Sequence, residues 1–246
     1  MKRNYYLIWV GALLVFLSAL TYFTHYQIFG DTHHIFIYLI GDLGFLPLEV
    51  LIVVVVIERI LAYREKRAIL VKMNMAIGTY FSEIGNYLLG YMLSFFSNRD
   101  EISAIMNVQA KWTKDDFKKA IDFAFHLKTE FNITSAQLNN LKETLSGRRD
   151  FILRMLENPN LLEHDRFTDM LWALTHLVEE LEARPSLENL PKADYQHICV
   201  DIQRLYDYLT SEWLDYIMHL KANYPFLYSY ILRTHPFQEN PSPTVT

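Results

Sequence analysis

The strongest constraint on this chain is an uncharged apolar stretch near its beginning. Residues 7–23 read LIWVGALLVFLSALTYF, which is seventeen residues without a charged side chain. As a helix rising 1.5 Å per residue, the stretch spans roughly 26 Å, close to the ~30 Å hydrocarbon core of a bilayer. A cleaved signal peptide is the competing interpretation, since Lys2 and Arg3 precede the stretch. The retained membrane anchor is favoured because a second apolar segment follows almost at once.

The second apolar segment extends from residue 35 to residue 63, and positive charge flanks the two segments instead of lying between them. The loop over 24–34 contains neither lysine nor arginine, while Lys2 and Arg3 precede the first segment. Basic residues return at Arg59, Arg64, Lys66, Arg67 and Lys72. Because positive charge stays on the cytoplasmic side, the pattern predicts two membrane spans with both termini in the cytoplasm. The same five basic side chains are predicted to face the lipid headgroups beside the membrane.

The second span has two possible registers. In the first, residues 35–57 fill the bilayer core, and Asp42 and Glu49 lie within it, seven residues apart and therefore on one helix face. Carboxylates at such a depth are costly to bury, and they mark an ion path or an oligomer seam. This register gives both residues a functional role.

In the second register, the spanning helix covers about residues 44–63. Pro47 then lies in its first turn, where the missing N–H is tolerated, and Glu49 lies near the positive end of the helix dipole. A short interfacial helix over about 33–41 precedes the span and is broken at Gly41–Gly44. We favour this register, which makes the carboxylates structural caps.

Three strings of the sequence resemble a group of hypothetical membrane proteins of prokaryotes. They are GDLGFLPLEVLIV at 41–53, NMAIGTYFSEIG at 74–85 and NYPFLYSYILRTHPF at 223–237. The resemblance implies a two-span protein of the prokaryotic cell (inner) membrane. The family brings no activity with it, so the resemblance supports the topology and adds nothing to the chemistry.

The rest of the chain, residues 68–237, is predicted to be a cytoplasmic α-helical bundle. No strand-like alternation persists, and apolar residues recur at three-and-four spacing instead. Helices are predicted over 114–131, 134–146, 150–157, 163–182 and 192–223. Residues 73–96 are predicted to form a buried or membrane-skirting helix rather than a third span, and residues 238–246 a disordered tail. The whole chain is therefore predicted to be all-α, with a transmembrane hairpin over 1–67.

The predicted bundle helices carry apolar faces that identify a candidate core. The helix over 114–131 presents Phe117, Ile121, Ala124 and Phe125. The helix over 163–182 presents Phe167, Leu171, Leu174, Val178 and Leu181. The helix over 192–223 presents Ile198, Ile202, Leu205, Leu209, Trp213, Ile217 and Leu220. These side chains are predicted to pack together inside the bundle.

Composition and motifs exclude several classes of function. The net charge of −5 gives no support to nucleic-acid binding. The single cysteine, Cys199, cannot form an internal disulfide or a multi-cysteine metal cluster. The sequence contains no GxxxxGK[ST], GxGxxG or GxSxG string, so that neither a phosphate-binding loop nor a nucleophile elbow is indicated.

A metal centre also lacks a sequence signature. A diiron bundle needs Glu-x-x-His on two helices, and the chain contains no such string. The nearest approaches are Asp194 with His197, Asp122 with His126, and Asp215 with His219. One-turn pairs of this kind need a partner helix to complete a ligand set. The sequence therefore predicts no metal and no cofactor.

Two functional hypotheses remain. The first is a membrane-anchored helical interaction module, a scaffold or sensor without catalytic activity, which self-associates and offers its bundle to a protein partner. The second is a small oligomeric cation channel whose second span lines the pore with Asp42 and Glu49. Carboxylates that face a shared axis would favour the channel, and carboxylates that cap a helix at the outer interface would favour the module.

Overall fold

A computed structural model describes residues 2–126 and 129–244, and over these residues the protein is all-α, as predicted. The β-type pairing among them is confined to one isolated bridge between Phe96 and Phe131. The chain divides into two compact units, Met1–Lys66 and Arg67–Thr246. The boundary falls within the second helix.

Ten α-helices and one short π-helical turn over Phe81–Gly85 are described. The helices are α1 (Lys2–Phe29), α2 (Thr32–Tyr80), α3 (Asn86–Leu93), α4 (Arg99–Met106), α5 (Lys114–Phe125), α6 (Ser135–Ser146), α7 (Arg149–Leu156), α8 (Asp165–Ala183), α9 (Lys192–Asn223) and α10 (Pro225–Thr234).

The first unit consists of α1 and the beginning of α2, and its apolar side chains are exposed. By length and composition, two stretches could cross a membrane, Ile8–Phe29 and one within Thr32–Leu93, and no part of their most apolar windows is buried. Gly30 joins the two helices with a φ of +64°, a left-handed conformation that glycine adopts without strain. The Asp31 carboxylate then accepts hydrogen bonds from the backbone N–H groups of His33 and His34, which caps the start of α2.

The predicted break in the second apolar segment is wrong. α2 begins at Thr32 and continues through Gly41–Gly44 without interruption, so that Pro47 and Glu49 lie inside the helix rather than in its first turn. A glycine costs a helix only about 1 kcal/mol, and the strongly apolar residues on both sides continue the helical pattern. The interfacial helix over 33–41 is therefore part of α2.

The core of the second unit is built around α9, which contacts α3, α5, α8 and α10. Every apolar residue predicted for the faces of α8 and α9 is buried, which confirms both faces. On α5 the prediction is only partly right. Phe117 and Ala124 are buried, but Phe125 lies in the last turn of a helix shorter than predicted and is 40% exposed.

Helix boundaries follow local capping chemistry. α5 begins after Thr113 and α6 after Thr134, and each threonine forms a reciprocal capping box with the third helical residue, Asp116 or Gln137. α9 has the predicted bounds, while the eight-residue helix α4 was not predicted. The sequence nevertheless contains a helix-start signal there, since Asn98 precedes α4 and Asp100 and Glu101 lie in its first turn.

Residues 73–96 lie in the second unit, and one side of this segment is buried in its core, as expected for a buried helix. Tyr80, Phe81 and Leu88 are buried where α2 gives way to the π-helical turn and α3. Gly85 is required in the turn because a Cβ there would lie 2.5 Å from the ring of Phe81. The buried indole N–H of Trp213 on α9 donates to Asn86 Oδ1 over 3.1 Å, which ties α9 to the start of α3.

The segment that follows α10 returns along it. The Gln238 side-chain amide donates to the Leu232 carbonyl over 2.6 Å, and the Ser242 N–H donates to the Arg233 carbonyl over 2.9 Å. These two hydrogen bonds attach Gln238 and Ser242 to α10, whereas residues 238–246 were predicted to be a disordered tail. The last two residues of that prediction lie outside the described residues.

Candidate functional site

The polar residues predicted to act in the membrane lie along α2. Asp42 and Glu49 are exposed and separated by seven residues of continuous helix, so they share one face. The basic residues predicted to face lipid are also exposed: Arg59, Arg64, Lys66, Arg67 and Lys72. The two acidic and five basic residues all lie on α2. Their position relative to a bilayer remains a prediction.

None of the three carboxylate–histidine pairs singled out in the sequence forms a site on its own. Asp122 Oδ1 lies 3.7 Å from His126 Nδ1, but both side chains are more than three-quarters exposed. Asp215 is engaged by the Arg166 guanidinium instead of by His219. The Asp194 carboxylate is engaged by Arg184.

A different set of histidines and carboxylates meets between α8 and α9. His176 and Glu180 are one turn apart on α8, and His197 and Asp201 are one turn apart on α9. The two helices pack through their apolar faces, which fixes the register that brings the polar pairs together. We call these four residues the His–carboxylate cluster.

Asp201 lies at the centre of the His–carboxylate cluster. Its Oδ2 atom is 3.5 Å from His176 Nε2 and 3.4 Å from His197 Nε2. One ligand atom from each of these three side chains lies within 4.8 Å of the other two. Two imidazoles from different helices therefore converge on a single carboxylate oxygen.

The Asp201 side chain is only 2% exposed, and its two oxygens have different surroundings. Oδ1 accepts a hydrogen bond from Arg204 Nη1 over 2.8 Å. Oδ2 is buried and accepts no hydrogen bond. Buried oxygens without a donor are uncommon and costly, so that Oδ2 is an acceptor still open to a further group.

Glu180 lies at the edge of the His–carboxylate cluster. Its Oε1 is 4.0 Å from His176 Nε2, and its Oε2 is 3.6 Å from His197 Nε2. Arg184 Nη1 donates to Oε2 over 2.7 Å, and this hydrogen bond is the main reason that the pKa of Glu180 is lowered. Glu180 therefore carries its negative charge at neutral pH beside both imidazoles.

A second buried ionic group lies elsewhere between the same helices. Glu212 on α9 is 1% exposed and accepts from Arg166 Nε over 2.8 Å, and its other oxygen lies 3.6 Å from His164 Nε2. Burial raises the pKa of the Glu212 carboxyl to about 7, against the opposing charge of Arg166. Because Arg166 on α8 donates a hydrogen bond to the buried Glu212 on α9, this group is a structural tie at the start of α8.

Sequence reasoning missed the His–carboxylate cluster for a specific reason. His197 was paired with Asp194, three residues before it, although the contacting partner is Asp201, four residues after it. His176 and Glu180, which are also four residues apart, are not among the pairs that the sequence analysis identifies. The available signal was the same four-residue spacing in two neighbouring helices, and only the packing of α8 on α9 shows that the pairs face each other.

These features define an all-α protein with an exposed apolar N-terminal unit and a packed helical C-terminal unit. Two family models match this protein and together cover most of its length. The model of an uncharacterized protein MJ1433, C-terminal helical domain, matches residues 69–233, and that of the MJ1433 N-terminal helical domain matches residues 2–61.

A relative supports the same assignment over nearly the whole chain. Uncharacterized protein MJ1433 of Methanocaldococcus jannaschii is 40% identical over 237 residues, which is 96% of this chain and 95% of the relative. The chain therefore belongs to the MJ1433 family, and of the expected resemblance this confirms that the chain is a member of an uncharacterised family. No solved structure matches the chain.

Proposed function

We propose that this protein is a membrane-anchored helical interaction module, a scaffold or sensor without catalytic activity. The observation that carries the proposal is the unburied apolar surface of the first unit. Consecutive side chains such as Val53, Val54 and Val55 are each about half exposed, and charged residues are nearly absent around them. A helix that is apolar on all sides and has no protein around it requires lipid or another apolar surface.

The charge distribution supports a topology for the proposed anchor. With Lys2 and Arg3 on one side and the basic residues from Arg59 onward on the other, the positive-inside rule places both ends in the cytoplasm. The connection around Gly30, which contains neither lysine nor arginine, then lies outside. The membrane proposed is the cell (inner) membrane of a prokaryote.

The basic residues after the second span support a role at the lipid surface. Arg59, Arg64, Lys66, Arg67 and Lys72 are exposed, which leaves their charges accessible to anionic headgroups. Such contacts contribute about 1 kcal/mol each near an anionic leaflet. This electrostatic attraction would hold the beginning of the second unit close to the membrane.

Exposed apolar side chains on the second unit support binding to a protein partner or to a second copy of the chain. Trp172 on α8 is 61% exposed and Phe226 on α10 is 72% exposed, although the unit has a complete core of its own. Large aromatic side chains are enriched where proteins meet each other. Homo-oligomerisation is part of the proposal.

Cysteine labelling in intact cells tests the topology. In a Cys199→Ser background, Thr32→Cys is expected to react with a membrane-impermeant maleimide, whereas Ser242→Cys is expected to react only after permeabilisation. The permeabilised sample shows that the second thiol is reactive. Labelling of Ser242→Cys in intact cells would overturn the topology.

A cation channel is a second candidate, because α2 continues through both carboxylates. Glu49 is not a first-turn cap, and Asp42 shares its helix face, so that an oligomer could present both residues along one seam or pore. Glu58 provides a matched control. It lies nine residues after Glu49, which places it on the opposite face of the same helix.

Ion flux separates the two candidates. The module predicts no cation flux from the protein in liposomes, and the same oligomer size for the unmodified protein and Glu49→Gln. The channel predicts a cation flux that Glu49→Gln abolishes and Glu58→Gln retains. A flux with that dependence would replace the module with the channel.

A further inference from the structure

We propose that the His–carboxylate cluster binds a divalent transition-metal cation of the zinc class, with His176, His197 and Asp201 as ligands. The proposal concerns the second unit alone and does not depend on the membrane role. It differs from the prediction of no metal, which rested on the absence of a Glu-x-x-His string and did not include His176.

The distances match those of a metal ligand set. Metal–ligand bonds of about 2.0–2.1 Å arranged as a tetrahedron place neighbouring ligand atoms roughly 3.3–3.4 Å apart. Asp201 Oδ2 lies 3.4 Å from one imidazole nitrogen and 3.5 Å from the other. All three atoms lie within 4.8 Å of one another, so that only the two imidazoles need to approach further.

The buried Asp201 oxygen is an independent reason for a cation at this place. Asp201 Oδ2 is buried, accepts no hydrogen bond and lies between two imidazole nitrogens. Leaving such an acceptor unpaired costs about 1–3 kcal/mol, and more for a charged group. A metal ion bound between the three atoms would satisfy it.

Arginines hold the carboxylates in the orientation that a metal requires. Arg204 occupies Oδ1 of Asp201, which leaves Oδ2 for the ion. Arg184 occupies Oε2 of Glu180, which leaves Oε1 free of hydrogen bonds from Arg184 and directed toward His176. Groups that bind the remote oxygen of a ligand in this way are typical of the surroundings of metal sites.

The donor set selects the class of metal. Two imidazoles with a carboxylate suit zinc, nickel, cobalt or ferrous iron, whereas magnesium and calcium require oxygen ligands almost exclusively. The imidazoles of His176 and His197 are 45% and 51% exposed, so that a bound ion would remain accessible from solvent. Glu180 lies close enough to balance its charge.

The test is binding of Zn²⁺ and Co²⁺ to the tag-free full chain in detergent micelles after removal of metals with a chelator. We expect one Zn²⁺ per chain by calorimetry, and a Co²⁺ complex with the visible absorption bands of low coordination number. His176→Gln with His197→Gln should weaken Zn²⁺ binding by at least about 10–100-fold, the range known for the milder loss of a supporting group. Both side chains are half exposed, which makes these variants safe for folding.

Two controls keep the result specific. Asp122→Asn with His126→Gln removes an exposed one-turn pair that is not part of the His–carboxylate cluster, and it should leave Zn²⁺ binding unchanged. Asp201→Asn should lose binding, with far-ultraviolet circular dichroism as the check on folding. Equal Zn²⁺ affinity in the unmodified chain and in the His176→Gln, His197→Gln variant would overturn the site, as would the absence of any Zn²⁺ binding.

Discussion

Val54 on α2 and Ile202 on α9 are both aliphatic residues in long helices, yet Val54 is 53% exposed and Ile202 is completely buried. Around Val54 nearly every position is apolar, so that the helix has no polar side to turn toward water. Ile202 stands between charged or polar neighbours such as Asp201 and Gln203. The spacing of apolar residues, more than their number, decides whether a helix is enclosed by its own chain.

Separating the two units tests this difference most directly. A fragment over residues 67–246 is expected to remain soluble and helical without detergent, since its core is complete. A fragment over residues 1–66 is expected to aggregate until detergent or lipid is added. Solubility and far-ultraviolet circular dichroism are the measurements. A soluble, monomeric first fragment would remove the main argument for a membrane anchor.

The next largest effect is expected from emptying the core of the second unit. Trp213→Ala removes a fully buried indole and leaves Asn86 without its donor, which should lower the free energy of unfolding by about 3–5 kcal/mol. The control is Val54→Ala, which truncates an exposed side chain on α2. This variant should change the free energy of unfolding by about 0.5 kcal/mol or less. Urea unfolding of the full chain in detergent, followed by circular dichroism, measures both. Similar losses would contradict the assigned cores.

A pH effect should also arise in the second unit. Burial lowers the pKa of His235 to about 4, below its ordinary value of 6.5. Between these values the unfolded chain binds a proton that the folded chain does not. The free energy of unfolding should therefore be fully retained above pH 6.5 and fall by roughly 3 kcal/mol as the pH is lowered to 4.

The His235→Phe variant isolates this contribution from other titrating groups. Glu212 has a pKa raised to about 7, which works in the opposite direction over an overlapping range, but it is present in both proteins. The quantity to compare is the change in the free energy of unfolding between pH 6.5 and pH 4. An equal change in the two proteins would show that His235 is not the group responsible.

The smallest effect concerns a helix cap. Thr113→Ala breaks the capping box at the start of α5 and should lower the free energy of unfolding by about 1 kcal/mol, while Thr113→Ser should restore most of it. Thr21 on α1 is the control, because its hydroxyl donates only to the Leu17 carbonyl inside a helix. Thr21→Ala is expected to have no measurable effect on urea unfolding of the second unit.

Much of the second unit was predictable because its signals are local. The three-and-four spacing from Ile198 to Leu220 predicts both the helix and its buried face, and Thr134 marks a helix start through its own side chain. α4 has a local start signal too, in Asn98 with Asp100 and Glu101 after it, and the sequence prediction does not include it. The continuity of α2 is not evident locally, because Gly41 and Gly44 resemble a helix break although the apolar residues around them continue the helix.

The His–carboxylate cluster could not be predicted in the same way. The sequence contains the spacing of His176 to Glu180 and of His197 to Asp201, but many exposed helices contain similar pairs. What makes these pairs meet is the register of α8 against α9, which depends on how core side chains interlock across the two helices. That register is a property of packing between distant residues, and no local pattern encodes it.

The hydrogen bond between Trp213 and Asn86 also determines when the core of the second unit can form during synthesis. It joins residues 127 positions apart, so that the core of the second unit cannot be completed until most of α9 has left the ribosome. Chains grow at about 5–20 residues per second, and contacts between distant residues form late. During those seconds α1 and the apolar part of α2 have already emerged, and they must find an apolar environment before the domain behind them exists.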